Sequence, residues 1–171
     1  MTKNKIYIIP GLGESCILVR YKNLASSLSK KGYNVIPVDP DWYQPLTKLV
    51  FRVEKNATII GFSFGAVLAY LIAKKYPYKK AIFASMSPIH DFSYEILVKD
   101  YLLHMNKDKA IKLAKDVKSI KINLKTIDTP FVTLMGEHEK KYLSESKSDI
   151  IIPKTKHYMS KKYADTISAL L

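Results

Sequence analysis

Short apolar runs alternate with longer amphipathic ones along this chain. Lys5-Ile6-Tyr7-Ile8-Ile9 has the length of a buried strand and ends in Pro10-Gly11-Leu12-Gly13, a Gly-rich loop. From Ile17 to Lys31, apolar residues recur at Leu18, Tyr21, Leu24, Ala25 and Leu28, and Gly32 follows. That spacing predicts an amphipathic helix with a glycine stop. Tyr33 to Val38 reads as a second strand, and Trp42 to Val53 as a loosely helical stretch. Ala57 to Ile60 is a third strand and Phe64 to Tyr76 a helix ended by Pro77. Lys80 to Ala84 is a fourth strand, broken by Ser85-Met86-Ser87-Pro88.

From Ile89 to Asp128 the rhythm changes. Two helices are predicted there, about Tyr94 to Met105 and Lys107 to Lys118, before a Lys-rich stretch. Phe131 to Met135 is a fifth strand, Asp149 to Ile152 a sixth, and Met159 to Leu171 a final helix. Strands alternating with helices predict an α/β fold, with a mostly parallel sheet and helices on both faces. The segment 89–128 is the one long interruption, and an insertion above the strand ends would act as a lid.

Composition narrows this picture a little. A chain of 171 residues with 47% hydrophobic residues is expected to form one domain, residues 1–171, with a real core. No apolar run is long enough for a transmembrane helix, and Ile6 to Ile9 is too short for a signal-peptide core. A single cysteine, Cys16, rules out an intrachain disulfide and fits a reducing cytoplasm. It reads as a buried structural thiol. The net charge of +13 is almost all lysine, with arginine only at Arg20 and Arg52. Arginine is the usual bidentate reader of bases and phosphates, so a solvated Lys-rich surface is the expectation and no nucleic-acid partner is implied. Lys109, Lys112, Lys115 and Lys118 likewise read as the solvated face of a helix.

The chemistry gathers at Gly61-Phe62-Ser63-Phe64-Gly65, between the third strand and its helix. A turn this tight holds Ser63 in a strained conformation and lifts its hydroxyl off the sheet, at a helix N-terminus whose N–H groups favour developing negative charge. The plain alternative is a Gly-Ser turn without chemistry. Gly11-Leu12-Gly13 could suggest a nucleotide loop, but no third glycine stands at Cys16 and no Gly-Lys-Ser/Thr follows, so both phosphate-binding fingerprints fail.

The Gly-x-Ser-x-Gly turn and the strand–helix order resemble the α/β-hydrolase superfamily over essentially the whole chain, in a minimal version without the two antiparallel strands that usually open the sheet. The resemblance implies the strand order 2-1-3-4-5-6 and the chain order nucleophile, acid, histidine. Ser63 is then the nucleophile. His157, in Lys156-His157-Tyr158 after the last strand, is the implied base, with His138 the runner-up. His90 and His104 read as surface or packing residues. The family's Gly-x-x-Asp after its penultimate strand appears here as Gly136-Glu137-His138-Glu139, which makes Glu139 the matching acid; Glu137 and Asp91 are alternatives. The resemblance puts the oxyanion hole at the backbone N–H groups of Phe64 and Leu12, with Gly13 as the alternative to Leu12. Pro10 stands where relatives carry histidine. Trp42 and Tyr43 either wall the pocket or simply pack.

The resulting expectation is a serine hydrolase of an acyl bond, a carboxyl ester or thioester, working through an acyl-enzyme on a small-molecule substrate. The resemblance implies no metal and no cofactor. The alternative is a non-catalytic binding protein that keeps the fold.

Overall fold

The computed structural model describes residues 4–86, 92–139 and 148–171. His90 and Asp91 lie outside them. Six strands form one parallel sheet: β1 (Lys5–Ile9), β2 (Asn34–Pro37), β3 (Thr58–Phe62), β4 (Lys80–Ala84), β5 (Phe131–Gly136) and β6 (Ile150–Ile152). Their order is β2-β1-β3-β4-β5-β6, and each neighbouring pair is parallel.

Both faces of the sheet are covered, which is why its strands are continuous apolar runs and not alternating ones. Along β1, Ile6 and Ile8 point to one side, where α1 (Val19–Lys30) and α6 (Lys161–Ala169) supply Tyr21, Leu24, Leu28, Tyr163 and Ile167. Tyr7 and Ile9 point to the other, against α2 (Leu46–Leu49), α3 (Phe64–Lys75), α4 (Tyr94–Tyr101) and α5 (Lys107–Ser119). Most of α3 is buried, which matches its apolar circumference.

Elements differ from the sequence pattern mainly at their ends. Of the helical stretch expected over Trp42–Val53, only Leu46–Leu49 forms a helix; Pro45 opens it and extended Val50 closes it. It is held from outside, since the Leu46 N–H donates to Asp116 of α5 at 2.7 Å. The final helix begins at Lys161 and not at Met159, because the Ser160 hydroxyl accepts the Tyr163 N–H and sets the start. The third strand runs on through Gly61 to Phe62.

The register brings the carboxyl ends together. Ile9 lies opposite Gly61, Phe62 opposite Ala84, Ala84 opposite Leu134, and Gly136 opposite Ile152. The loops leaving β1, β3, β4, β5 and β6 therefore open on one side, where sites form in such sheets. α4 and α5, between β4 and β5, pack on each other, and α5 packs on α2.

Candidate active site

The turn between β3 and α3 holds Ser63 at φ 54° and ψ −119°. That region is sparsely populated for a side-chain-bearing residue and costs on the order of 1–3 kcal/mol. The turn can be this tight because its flanking residues lack Cβ atoms. A Cβ on Gly61 would overlap the Gly65 carbonyl and come 2.6 Å from the Ala66 Cα; one on Gly65 would overlap the carbonyl oxygens of Ile9 and Pro10. The Ser63 N–H donates to the Ala84 carbonyl at 2.8 Å, which ties the turn to β4. Serine commonly caps the helix it precedes. Here the hydroxyl makes no such bond and turns to the His157 Nε2 at 2.8 Å.

His157 stands in the loop after β6, its ring tilted over Phe62 with centroids 5.6 Å apart. Its Nδ1 lies 2.8 Å from the Glu139 Oε2. Ser63, His157 and Glu139 are thus joined in one chain of contacts from three separate loops.

Glu139 closes a 3₁₀ turn at Glu137–Glu139, directly after β5, and is 2% exposed. Its carboxylate has a full set of partners. Oε1 accepts the Gly136 N–H at 2.9 Å and the Tyr163 hydroxyl at 2.6 Å. Oε2 accepts from His157 and from the Ser85 hydroxyl. A carboxylate offers about four lone-pair sites, and these four donors occupy them. Burial by itself would push the carboxyl pKa up, but hydrogen bonds from His157, Ser85 and Tyr163 outweigh it and hold the group below its ordinary range. An ionised, acceptor-only Glu139 also sets the imidazole tautomer: the proton sits on Nδ1, and Nε2 faces Ser63 with a free lone pair.

Glu137 and His138, the described alternatives, have partners in the loop after β6. Glu137 accepts the Lys154 N–H at 2.9 Å, and the His138 backbone N–H donates to the Thr155 carbonyl at 3.1 Å. His104 follows α4 and lines the cavity beside Ser63, where the sequence suggested only surface or packing. That cavity has a volume of about 250 Å³; Gly11, Leu12, Phe64, Leu97, Tyr101 and His157 are among its walls.

The β1–α1 loop is fixed by a cluster that local sequence does not announce. The Glu14 carboxylate accepts from Arg20, from the Tyr21 hydroxyl and from the Gly11 N–H at 3.3 Å. The Gly11 N–H is also 3.2 Å from the Tyr21 oxygen, so it is engaged within the loop. No such bond engages the N–H groups of Leu12 and Phe64 among the described residues. Phe64 opens α3, so its N–H has no acceptor one turn back in the helix. Trp42 is buried and packs edge-on against Phe64, while Tyr43 is exposed with the Lys109 Nζ 3.9 Å above its ring. Cys16 is buried, donates weakly to the Ile8 and Val38 carbonyls, and has its thiol pKa pushed up to about 12, chiefly by burial.

Ser85 and Tyr163 are the neighbours that sequence reasoning missed. In the sequence Ser85 is only part of the stretch that breaks the fourth strand and Tyr163 only a position within the final helix, so neither carried a chemical signal. Among the described residues no three His, Cys, Asp or Glu side chains gather as metal ligands, and no helix is long and apolar enough to cross a membrane.

No family model and no curated protein matches the chain. Solved structures do. An α/β hydrolase from the sediment metagenome of the Mar Chica lagoon, Morocco, superposes with a TM-score of 0.68 at 19% identity, over 99% of this chain and 89% of that one. A carboxylesterase of the thaumarchaeon Nitrososphaera gargenis gives 0.67 at 12% identity, over 98% of this chain and 89% of the other. Tomato methylketone synthase I, solved with 2-tridecanone, gives 0.63 at 12% identity, over 99% and 97%. At such identities the likeness speaks for architecture, and together with the six-stranded parallel sheet it establishes that this chain has the α/β-hydrolase fold.

Proposed function

We infer that the protein is a serine hydrolase that cleaves an acyl bond, a carboxyl ester or a thioester. One relation carries the reading: Ser63 Oγ at 2.8 Å from His157 Nε2, with His157 Nδ1 at 2.8 Å from a buried, ionised Glu139. A serine hydroxyl is a weak nucleophile until a neighbouring base takes its proton. The four donors around Glu139 leave His157 in the tautomer that can do so.

In this reading Ser63 Oγ attacks the carbonyl carbon as its proton passes to His157 Nε2. The imidazolium that forms is stabilised by Glu139, which stays ionised. The carbonyl oxygen becomes an oxyanion held by the Phe64 and Leu12 N–H groups, and the N-terminus of α3 adds its partial positive charge. His157 then protonates the leaving oxygen or sulfur as that bond breaks. Water, deprotonated by His157, attacks the acyl-enzyme and restores Ser63. The strained turn keeps the hydroxyl at the cavity without a reorganisation cost during reaction.

The cavity bounds the substrate. Ligand pockets commonly measure about 300–1,000 Å³, so the roughly 250 Å³ beside Ser63 suits a short acyl group. The described part of the expected insertion, residues 92–128, is the lid in this reading, with Leu97 and Tyr101 of α4 lining the cavity. The fold's occurrence in a carboxylesterase supports hydrolase chemistry in general terms. The test is labelling with a fluorophosphonate probe: Ser63 reacts in the wild-type protein and labelling vanishes in Ser63→Ala. A folded wild-type protein that stays unlabelled would leave the non-catalytic binding protein as the better reading.

A further inference from the structure

Glutamate at the acid position brings a difficulty with it. Its side chain is one methylene longer than aspartate and has one more rotatable bond, and at 2% exposure it has lost its water. A buried carboxylate without partners protonates, and a protonated Glu139 is a donor as well as an acceptor, so it would no longer fix the proton on His157 Nδ1. Ser85 and Tyr163 answer both difficulties. They come from different parts of the fold: Ser85 directly follows β4, in a left-handed conformation at φ 51°, and Tyr163 lies in the first turn of α6. Their oxygens are 2.9 Å apart and reach opposite oxygens of the same carboxylate. Each hydroxyl has one proton. With both protons given to Glu139, neither is left to bridge the pair, so the two oxygens face each other only because the carboxylate draws both. The Tyr163 phenol is raised well above its ordinary pKa, by burial first and then by its bond to Glu139, so it stays a donor. Its ring is wedged edge-on against Phe62 at 5.5 Å, and Phe62 in turn lies under His157.

We propose that Ser85 and Tyr163 are positioning residues: with the Gly136 N–H they form a rigid donor seat that keeps Glu139 ionised and aimed at His157 Nδ1. The proposal rests on the hydrolase reading of Ser63 for its kinetic consequence, but not for its structural one. Ser85 also sits 3.4 Å from His157 Nδ1. Loss of the carboxylate acceptor therefore leaves the imidazole beside a hydroxyl, which both donates and accepts and so does not fix the tautomer.

The experiment is a double-mutant cycle read by two methods. Tyr163→Phe and Ser85→Ala are made in the wild-type chain and in Glu139→Gln, with thermal unfolding to confirm folding. The rate of fluorophosphonate labelling of Ser63 should fall about tenfold for each substitution in the wild-type background, the scale of one charge-assisted hydrogen bond. In Glu139→Gln, where no ionised acid remains to be held, neither should slow it further. In parallel, imidazole ¹⁵N shifts of His157 should show Nδ1–H with a free Nε2 in the wild type and a mixture of tautomers in Tyr163→Phe. Equal slowing in both backgrounds would reduce the pair to structural packing and overturn the proposal. So would an unchanged tautomer in both substitutions. If the wild type is not labelled at all, the hydrolase reading fails, and the ¹⁵N measurement still decides the seat.

Discussion

The Glu139 carboxylate folds back over Gly136, accepting that residue's own N–H at 2.9 Å. The strand end needs glycine for this reason. A Cβ on Gly136 would come 2.5 Å from Glu139 Oε1 and 2.5 Å from the Thr155 carbonyl oxygen. The Glu139 carboxylate oxygen takes the space that a side chain on residue 136 would fill.

Gly136→Ala should therefore act on the acid and on the β6–α6 loop together. The backbone carbonyl of Thr155 has little freedom to retreat, so a loss of about 3 kcal/mol is expected from overpacking. Urea unfolding measures it. Labelling of Ser63 should slow even at temperatures where the variant is folded; full-rate labelling would mean that Glu139 can bind His157 from another position.

Ser63→Gly should separate stability from chemistry. At φ 54° a serine is strained and a glycine is not, so the substitution is expected to stabilise by about 1 kcal/mol while abolishing fluorophosphonate labelling. Ser63→Ala abolishes labelling without that gain, because alanine meets the same steric restriction. A lower melting temperature for Ser63→Gly than for Ser63→Ala would contradict the strain assigned to the turn.

Glu14→Gln tests the β1–α1 loop. Glu14 gathers Arg20, Tyr21 and the Gly11 N–H, which leaves the Leu12 N–H as the proposed oxyanion donor. Loosening the loop should lower kcat on a short ester by about tenfold with little change in KM, since the donor acts mainly on the transition state. A rise in KM at constant kcat would instead assign the loop to ground-state binding.

The Glu139 carboxyl is held below its ordinary range, so its contribution to stability has a definite sign. The contribution is full above the unfolded-state pKa of about 4.3 and is lost as pH falls through the lower folded value. The stability difference between the wild type and Glu139→Gln should thus be constant near neutrality and shrink below about pH 4. Denaturant unfolding of both proteins across that range measures it; a difference that grows on acidification would reverse the sign of the shift.

Much of the molecule is legible in its sequence because the relevant forces are local. Apolar runs of strand length, bounded by glycine and proline, specify a sheet buried on both faces, and the Gly61–Gly65 spacing marks the one turn where strand and helix must nearly touch. The order serine, glutamate, histidine matches the one that the family resemblance implies. Element ends were less legible, because they depend on distant partners: Asp116 of α5 holds the short helix at Leu46, and nothing near Leu46 announces it.

What the sequence determined by itself was the periodicity, the turn chemistry and a short roster of candidate side chains. Only the tertiary structure decided which of them meet. The choice between Glu139 and Glu137 turns on direction: one carboxylate points inward to His157, Ser85 and Tyr163, the other outward to the Lys154 N–H. Ser85 and Tyr163 lie 78 positions apart and touch only because β4 and α6 converge at the carboxyl end of the sheet. Hydrogen bonds between such residues are set by how elements pack, and no spacing along the chain encodes them.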